Sequence, residues 1–170
     1  MTWENPKTWV TGELVTAAML NTHVRDNLNA LKSPPSDDYV CNEGSDYTTT
    51  STGFVNVDST NLALTINTNG GDVMVCFSGV IQNVTASAIV FFDIEVDGNR
   101  EAGNDGLLEI QFASSSVLPV SFVRLITGLA AGSHTVKLQW KVSAGTGRLY
   151  AGAGTTNADV HPQLWAREVS

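Results

Sequence analysis

Basic residues are scarce. The 170 residues carry 9 Lys+Arg against 17 Asp+Glu, a formal charge of -8, and the nine are scattered from Lys7 to Arg167. Nucleic acids and anionic membrane surfaces are bound by clustered Lys and Arg that release counterions, so neither is an expected partner. Charge of either sign is thin, at 15%, where an average domain has about 25%. Hydrophobic residues nevertheless reach 42%, which excludes an acidic disordered tail and suffices for one real core. Cysteine is limited to Cys41 and Cys76, with no CxxC spacing; the pair is open either to a disulfide or to two buried thiols. No stretch approaches the ~18 apolar residues that cross a bilayer. The first residues, MTWENPK, show no basic region followed by an apolar run, so no signal peptide is expected and folding in a cytoplasm is.

Patterns that carry chemistry are missing too. Asp93-Ile94-Glu95-Val96-Asp97-Gly98 mimics the start of a calcium loop, but its third position is Glu and its twelfth, Asn104, stands where a bidentate Glu is required. The interleaved Ile94 and Val96 announce a strand instead, with three acids on its exposed face and an Asp-Gly turn at its end. Ser133-His134 sits at a turn and no G-x-S-x-G occurs. Gly145-Thr146-Gly147 and Gly152-Ala153-Gly154-Thr155 lack the following Gly, Lys and helix of a phosphate loop. His23, His134 and His161 fall in three different contexts, which does not make a zinc site. The chain is therefore expected to be no enzyme, with no catalytic residues, cofactor or metal.

What is present divides into three parts. Residues 1–32 form an anchor segment and helix. Trp3, Trp9, Val10 and Leu14 crowd the first fifteen positions, either folded back on the domain or offered as a docking peptide whose aromatic rings fill pockets elsewhere. Residues 16–32 read as a helix, with Thr16 as N-cap, Lys32 at the C-terminal end and Pro34-Pro35 forbidding continuation. Ala17, Leu20, Val24, Asn27 and Leu31 follow an a/d seam with Leu28 beside it; Asn27 is the polar seam residue that would set register in an oligomer. The alternative is an amphipathic helix packed on its own domain or on a neighbour. Residues 33–38 (SPPSDD) are the expected linker.

From residue 39 to 170 the period becomes two. Runs rich in β-branched and aromatic residues span 54–57, 62–67, 72–81, 88–96, 107–112, 120–127, 134–142, 147–151 and 160–169, broken by turns such as Asn69-Gly70-Gly71-Asp72 and Ala131-Gly132-Ser133. Strict alternation in 91–97 and 135–142 predicts antiparallel sheet with one covered face. Trp140 alternates into the apolar face with Val136 and Leu138, whereas Tyr150 and Trp165 are expected as surface or interface aromatics. Eight to ten short strands predict a mainly β, antiparallel sandwich or jelly roll preceded by one short α-helix.

Two resemblances join these parts. Trp9–Leu28 (WVTGELVTAAMLNTHVRDNL) resembles an N-terminal segment of structural proteins in tailed bacteriophages and prophages. The stretches GDVMVCFSG (71–79), Val96-Asp97-Gly98, GLAAGSHTVKLQW (128–140) and LWAREV (164–169) resemble the C1q/TNF-like jelly roll. Together the resemblances imply a homotrimeric virion structural protein, a capsid decoration, head fibre or tail adaptor assembled in the host cytoplasm. It would dock on a capsid or tail protein through Trp3, Trp9 and Leu14, with Leu20, Val24, Asn27 and Leu31 making helix contacts. The missing glycine-rich or coiled-coil stalk favours a compact decoration or adaptor. The rival expectation is a receptor- or glycan-binding module, with Tyr150 or Trp165 as a stacking platform for a host-surface glycan.

Overall fold

Thr16 opens the helix as its position suggests: the hydroxyl accepts from the Met19 backbone N–H at 3.2 Å, pairing one donor that a helix start leaves free. The computed structural model, which describes residues 4–113, 115–152 and 160–169, carries the helix through α1 (Ala17–Leu20), a π-helical stretch (Asn21–Asp26) and α2 (Asn27–Lys32). Lys32 occupies the last turn and the two prolines end it. The π-helical stretch departs from the expected uninterrupted seam. Its i→i+5 turns are wider than those of an α-helix and rotate the next turns about the axis.

Twelve strands come after the helix among the described residues: β1 (Ser36–Val40), β2 (Tyr47–Thr49), β3 (Val55–Asn56), β4 (Ala63–Thr68), β5 (Gly71–Asn83), β6 (Ile89–Val96), β7 (Asn99–Arg100), β8 (Leu108–Gln111), β9 (Val117–Leu129), β10 (Gly132–Val142), β11 (Gly147–Leu149) and β12 (Gln163–Glu168). Every pairing is antiparallel. Sheet I runs β1-β12-β5-β9, and β11 with β2 extends it beyond β12 along the same edge of β5. Sheet II runs β4-β10-β6-β8, with β3 and β7 as short additions. Counting the eight principal strands in chain order, sheet I reads first-eighth-third-sixth and sheet II second-seventh-fourth-fifth. That order is the double Greek key of a jelly roll.

The core lies between the sheets. Val73, Val75, Phe77 and Ile81 of β5 face Phe92 and Ile94 of β6 and Val136, Leu138 and Trp140 of β10, all buried. Phe77 and Phe92 stand 5.3 Å apart between ring centroids, and Phe92 stacks on Trp140 at 6.2 Å. Each such side chain contributes roughly 1.5–3 kcal/mol by leaving water. Trp140 is in the core, where alternation put it. The β6–β7 hairpin turns on Asp97 and Gly98, both at positive φ (49° and 86°), the backbone that an Asp-Gly pair accommodates best.

Two expectations change, and one strand had no signal. Ser36–Asp38, expected as linker, belong to β1; a sheet-margin strand can be polar, which hides it from hydrophobic pattern. β2 lacked a signal for the same reason. Asp93 is not on an exposed face: it is 0% exposed, because the chain after β7 folds over it. Its carboxylate accepts from the backbone N–H groups of Ile94 (2.8 Å) and Ala102 (3.2 Å) and from Arg100 Nη1 (3.3 Å). Burial pushes the Asp93 pKa up, against those hydrogen bonds and the Arg100 charge.

Candidate interaction surface

The two sheets each turn a second face outward, and the faces differ. On sheet II, Lys137 Nζ meets Glu95 at 2.9 Å, and Gln139 Nε2 donates to Asn56 at 3.0 Å and also to Glu95. Arg100 pairs with Asp93 and lies 4.2 Å from the Phe54 ring centroid, while Lys141 Nζ sits 4.6 Å from Phe54 and 4.8 Å from Phe91. Charges there are answered by neighbours across the strands. The supposed calcium acids have separate partners: Asp93 takes Arg100, Glu95 takes Lys137, and Asp97 takes His134 at 2.7 Å. Among the described residues no three His, Cys, Asp or Glu side chains converge as a metal site.

Sheet I presents hydrocarbon and sulfur instead. Register aligns Asp38, Trp165, Cys76 and Val123 in one row and Ser36, Arg167, Met74 and Leu125 in the next. A third row holds Val40, Gln163, Ser78 and Ser121, and Val80 stands opposite Pro119. Val40, Val117, Val123 and Leu125 are exposed, Val123 to 61%; Met74, Cys76, Val80 and Trp165 are half-buried. Charge enters the same rows on β1 and β12, as exposed Asp38 beside Trp165 and exposed Arg167 beside Met74, while Asp72 and Arg148 lie toward the strand ends and the strip of β5 and β9 between them is uncharged. Burial pushes the Cys76 thiol pKa up, and a hydrogen bond with the Trp165 side chain opposes the shift. Both cysteines are free thiols.

A groove of about 460 Å³ continues this face toward the helix. Leu31, Pro34 and Pro35 form one wall and Met74, Arg167 and Val169 the other. The arm of residues 4–15 lies on the helix itself. Asn27, 5% exposed, donates through Nδ2 to the Glu4 carbonyl at 2.8 Å and accepts from the Glu4 N–H at 2.9 Å. Trp9 meets His23 edge-on, with centroids 6.5 Å apart, and Lys7 bonds Glu13 at 2.6 Å.

The expected anchor residues thus divide. Trp9 and Leu14 are exposed, Leu14 to 81%, as are Leu20, Val24 and Leu31; Trp3 lies outside the described residues. Asn27 is a correction: it clasps the arm of its own chain and is unavailable to set register, because the π-helical stretch turns it off the Leu20–Val24 side. Tyr150 is a second correction, being 7% exposed. Its N–H donates to Val80 O at 3.0 Å and its hydroxyl to Gln82 at 3.1 Å, which draws the ring in against β5. Trp165 is half-buried on the outward face of sheet I, beside Cys76.

Residue-by-residue pattern did not single out Met74, Cys76, Val80, Val117, Val123 and Leu125. A signal existed. β5 and β9 are apolar at both odd and even positions, where a half-solvated antiparallel strand alternates.

No protein-family model matches the chain, and no curated protein does. Among solved structures the chain is similar to Eiger TNF from S. frugiperda (TM-score 0.45, 12% identity, 81% of this chain and 94% of that one). It is also similar to the globular domain of zebrafish complement 1qA protein (0.43, 12%, 81% and 98%) and to murine APRIL (0.43, 11%, 79% and 99%). The jelly-roll assignment stands on the strand order itself.

Proposed function

We propose that this chain is a non-enzymatic protein-interaction module that assembles with copies of itself through the outward face of sheet I. The observation that carries the proposal is the uncharged, partly exposed strip of β5 and β9 (Met74, Cys76, Val80, Val117, Val123, Leu125) on a chain of net charge -8. Identical bodies of one sign repel, so copies meet most favourably where neither presents charge. Each copy covers the valines, Leu125 and Trp165 of the next, removing apolar surface from water at about 25 cal/mol per Å². A homotrimer is the proposed state, and the C1q/TNF-like sequence resemblance supports it.

The finer proposal is a structural component of a tailed-phage virion, assembled in the host cytoplasm and docked on a capsid or tail protein. Its support is the resemblance of Trp9–Leu28 together with an arm that leaves Trp9, Val10 and Leu14 exposed. Light scattering tests the assembly: the proposal requires three times 18.1 kDa at micromolar concentration, and a stable monomer contradicts it. Particles produced with a Trp9→Ala, Leu14→Ala chain test the docking. Loss of the chain from purified particles, with its own mass unchanged, is expected, and normal incorporation contradicts the arm's role.

A further inference from the structure

The helix has two sides with different employment. One side, through His23 and Asn27, holds the arm. On the other, Leu20, Val24 and Leu28 are exposed, Leu28 to 61%, and neither sheet makes more than marginal contact with the helix. The π-helical stretch produces this division, because a wider turn moves Asn27 away from Leu20 and keeps Val24 and Leu28 near it. A sixteen-residue helix with an uncovered apolar side is marginal in water by itself.

Charge separates the same two regions. Residues 1–32 contain Lys7, Arg25 and Lys32 against Glu4, Glu13 and Asp26, a net of zero, so the whole -8 belongs to residues 33–170. Within the helix Arg25 and Asp26 neutralise each other at 2.8 Å. The Leu20–Val24–Leu28 stripe thus carries no acid on an acidic protein, and Lys32 stands one turn on from Leu28. The stripe runs by way of Leu31, Pro34 and Pro35 into the groove whose opposite wall, Met74 and Arg167, belongs to the outward face of sheet I.

We infer that the helix stripe is part of the contact between copies of this chain, continuous with the sheet I face, and is not the surface that docks on another protein. The inference rests on the proposed self-association. It gives the two halves of the N-terminal segment separate roles. Leu20, Val24 and Leu28 meet the equivalent helices, while the arm bearing Trp9, Val10 and Leu14 is held on the far side and stays free. Continuity with the sheet I face brings like helices together, and the groove receives side chains at the junction of helix and sheet.

Full-length chain tests this in two ways. The first compares a stripe variant (Leu20→Glu, Val24→Glu, Leu28→Glu) with a sheet-face variant (Val123→Glu, Leu125→Glu) by light scattering over a concentration series. Both should dissociate at concentrations at least roughly tenfold higher than the native chain. A stripe variant that dissociates like the native chain, beside a weakened sheet-face variant, overturns the helix inference and leaves the sheet I proposal standing. A native chain that is monomeric throughout overturns both. The second places Val24→Cys in a Cys76→Ser background, which leaves the helix apolar and intact. Mild oxidation should link chains in pairs through position 24, and failure to link in the assembled protein overturns the inference.

Discussion

Two outward faces of one sandwich handle their exposed positions in opposite ways. On sheet II, lysine, arginine and glutamine are matched to carboxylates and rings a strand away, though Gln139 Oε1 is buried without a hydrogen-bond partner. On sheet I, Val123, Leu125, Cys76, Met74 and Trp165 have hydrocarbon and sulfur neighbours but no outer layer. Both sheets share one core and the same antiparallel pairing, so fold alone does not account for the difference. A sheet face that is apolar on both sides is completed by another body.

The largest effect should come from placing charge on the incomplete face. Val123→Asp should weaken association about a hundredfold, or ~2.7 kcal/mol, read as mass against concentration, with the far-ultraviolet spectrum unchanged. On sheet II the important acid is buried rather than exposed. Asp93→Ala leaves the Ala102 N–H and the Arg100 guanidinium without their acceptor and should lower stability by about 2 kcal/mol in urea unfolding, while leaving assembly intact. Unchanged stability would show that the covering loop contributes nothing there.

A pH profile sharpens the comparison at the end of sheet II. His134 Nδ1 lies 2.7 Å from an Asp97 carboxylate oxygen and Nε2 lies 2.8 Å from the Ala130 carbonyl. Both partners are acceptors, so only the imidazolium satisfies both contacts at once. The Asp97 hydrogen bond raises the His134 pKa above its ordinary value of 6.5, with the Ala130 bond adding to it, and the His134 bond likewise lowers that of Asp97. The neighbouring β4 residues Thr65, Ile66 and Asn67 bring no titratable group. Stability from His134 is therefore full below pH 6.5 and lost as pH rises through the higher folded pKa. The Asp97 contribution is full above its ordinary 3.8 and lost as pH falls through its lower folded value. Thermal unfolding across pH should show that alkaline fall, and His134→Gln should flatten it. The smallest effect should be Lys137→Met, under ~1 kcal/mol, because Gln139 still holds Glu95.

Sequence made the sandwich legible wherever one face met solvent, as in 135–142, where Val136, Leu138 and Trp140 alternate with Lys137, Gln139 and Lys141. It was less informative where strands were polar at a margin, as in Ser36–Asp38, or apolar on both faces, as in β9. The helix limits were readable from Thr16 and Pro34-Pro35, but its π-helical stretch was not. No residue type marks that stretch, and it alone decides that Asn27 faces the arm. Asp93 looked exposed by alternation because alternation assigns a face and not the chain that folds over it. Tyr150 looked available because it falls near the loop end of the expected strand 147–151, yet its hydrogen bonds to Val80 and Gln82 draw the ring in against β5.

Cys76 sits in the middle row of the sheet I face, with buried Cys41 as an internal control. Its rate of alkylation by a maleimide, followed by mass spectrometry across a dilution series, reports directly whether that face is covered. Self-association through sheet I predicts protection at high concentration and reaction that accelerates as the mass falls toward one chain. An alkylation rate independent of concentration, in a chain whose mass does change, would place the contact elsewhere and contradict it.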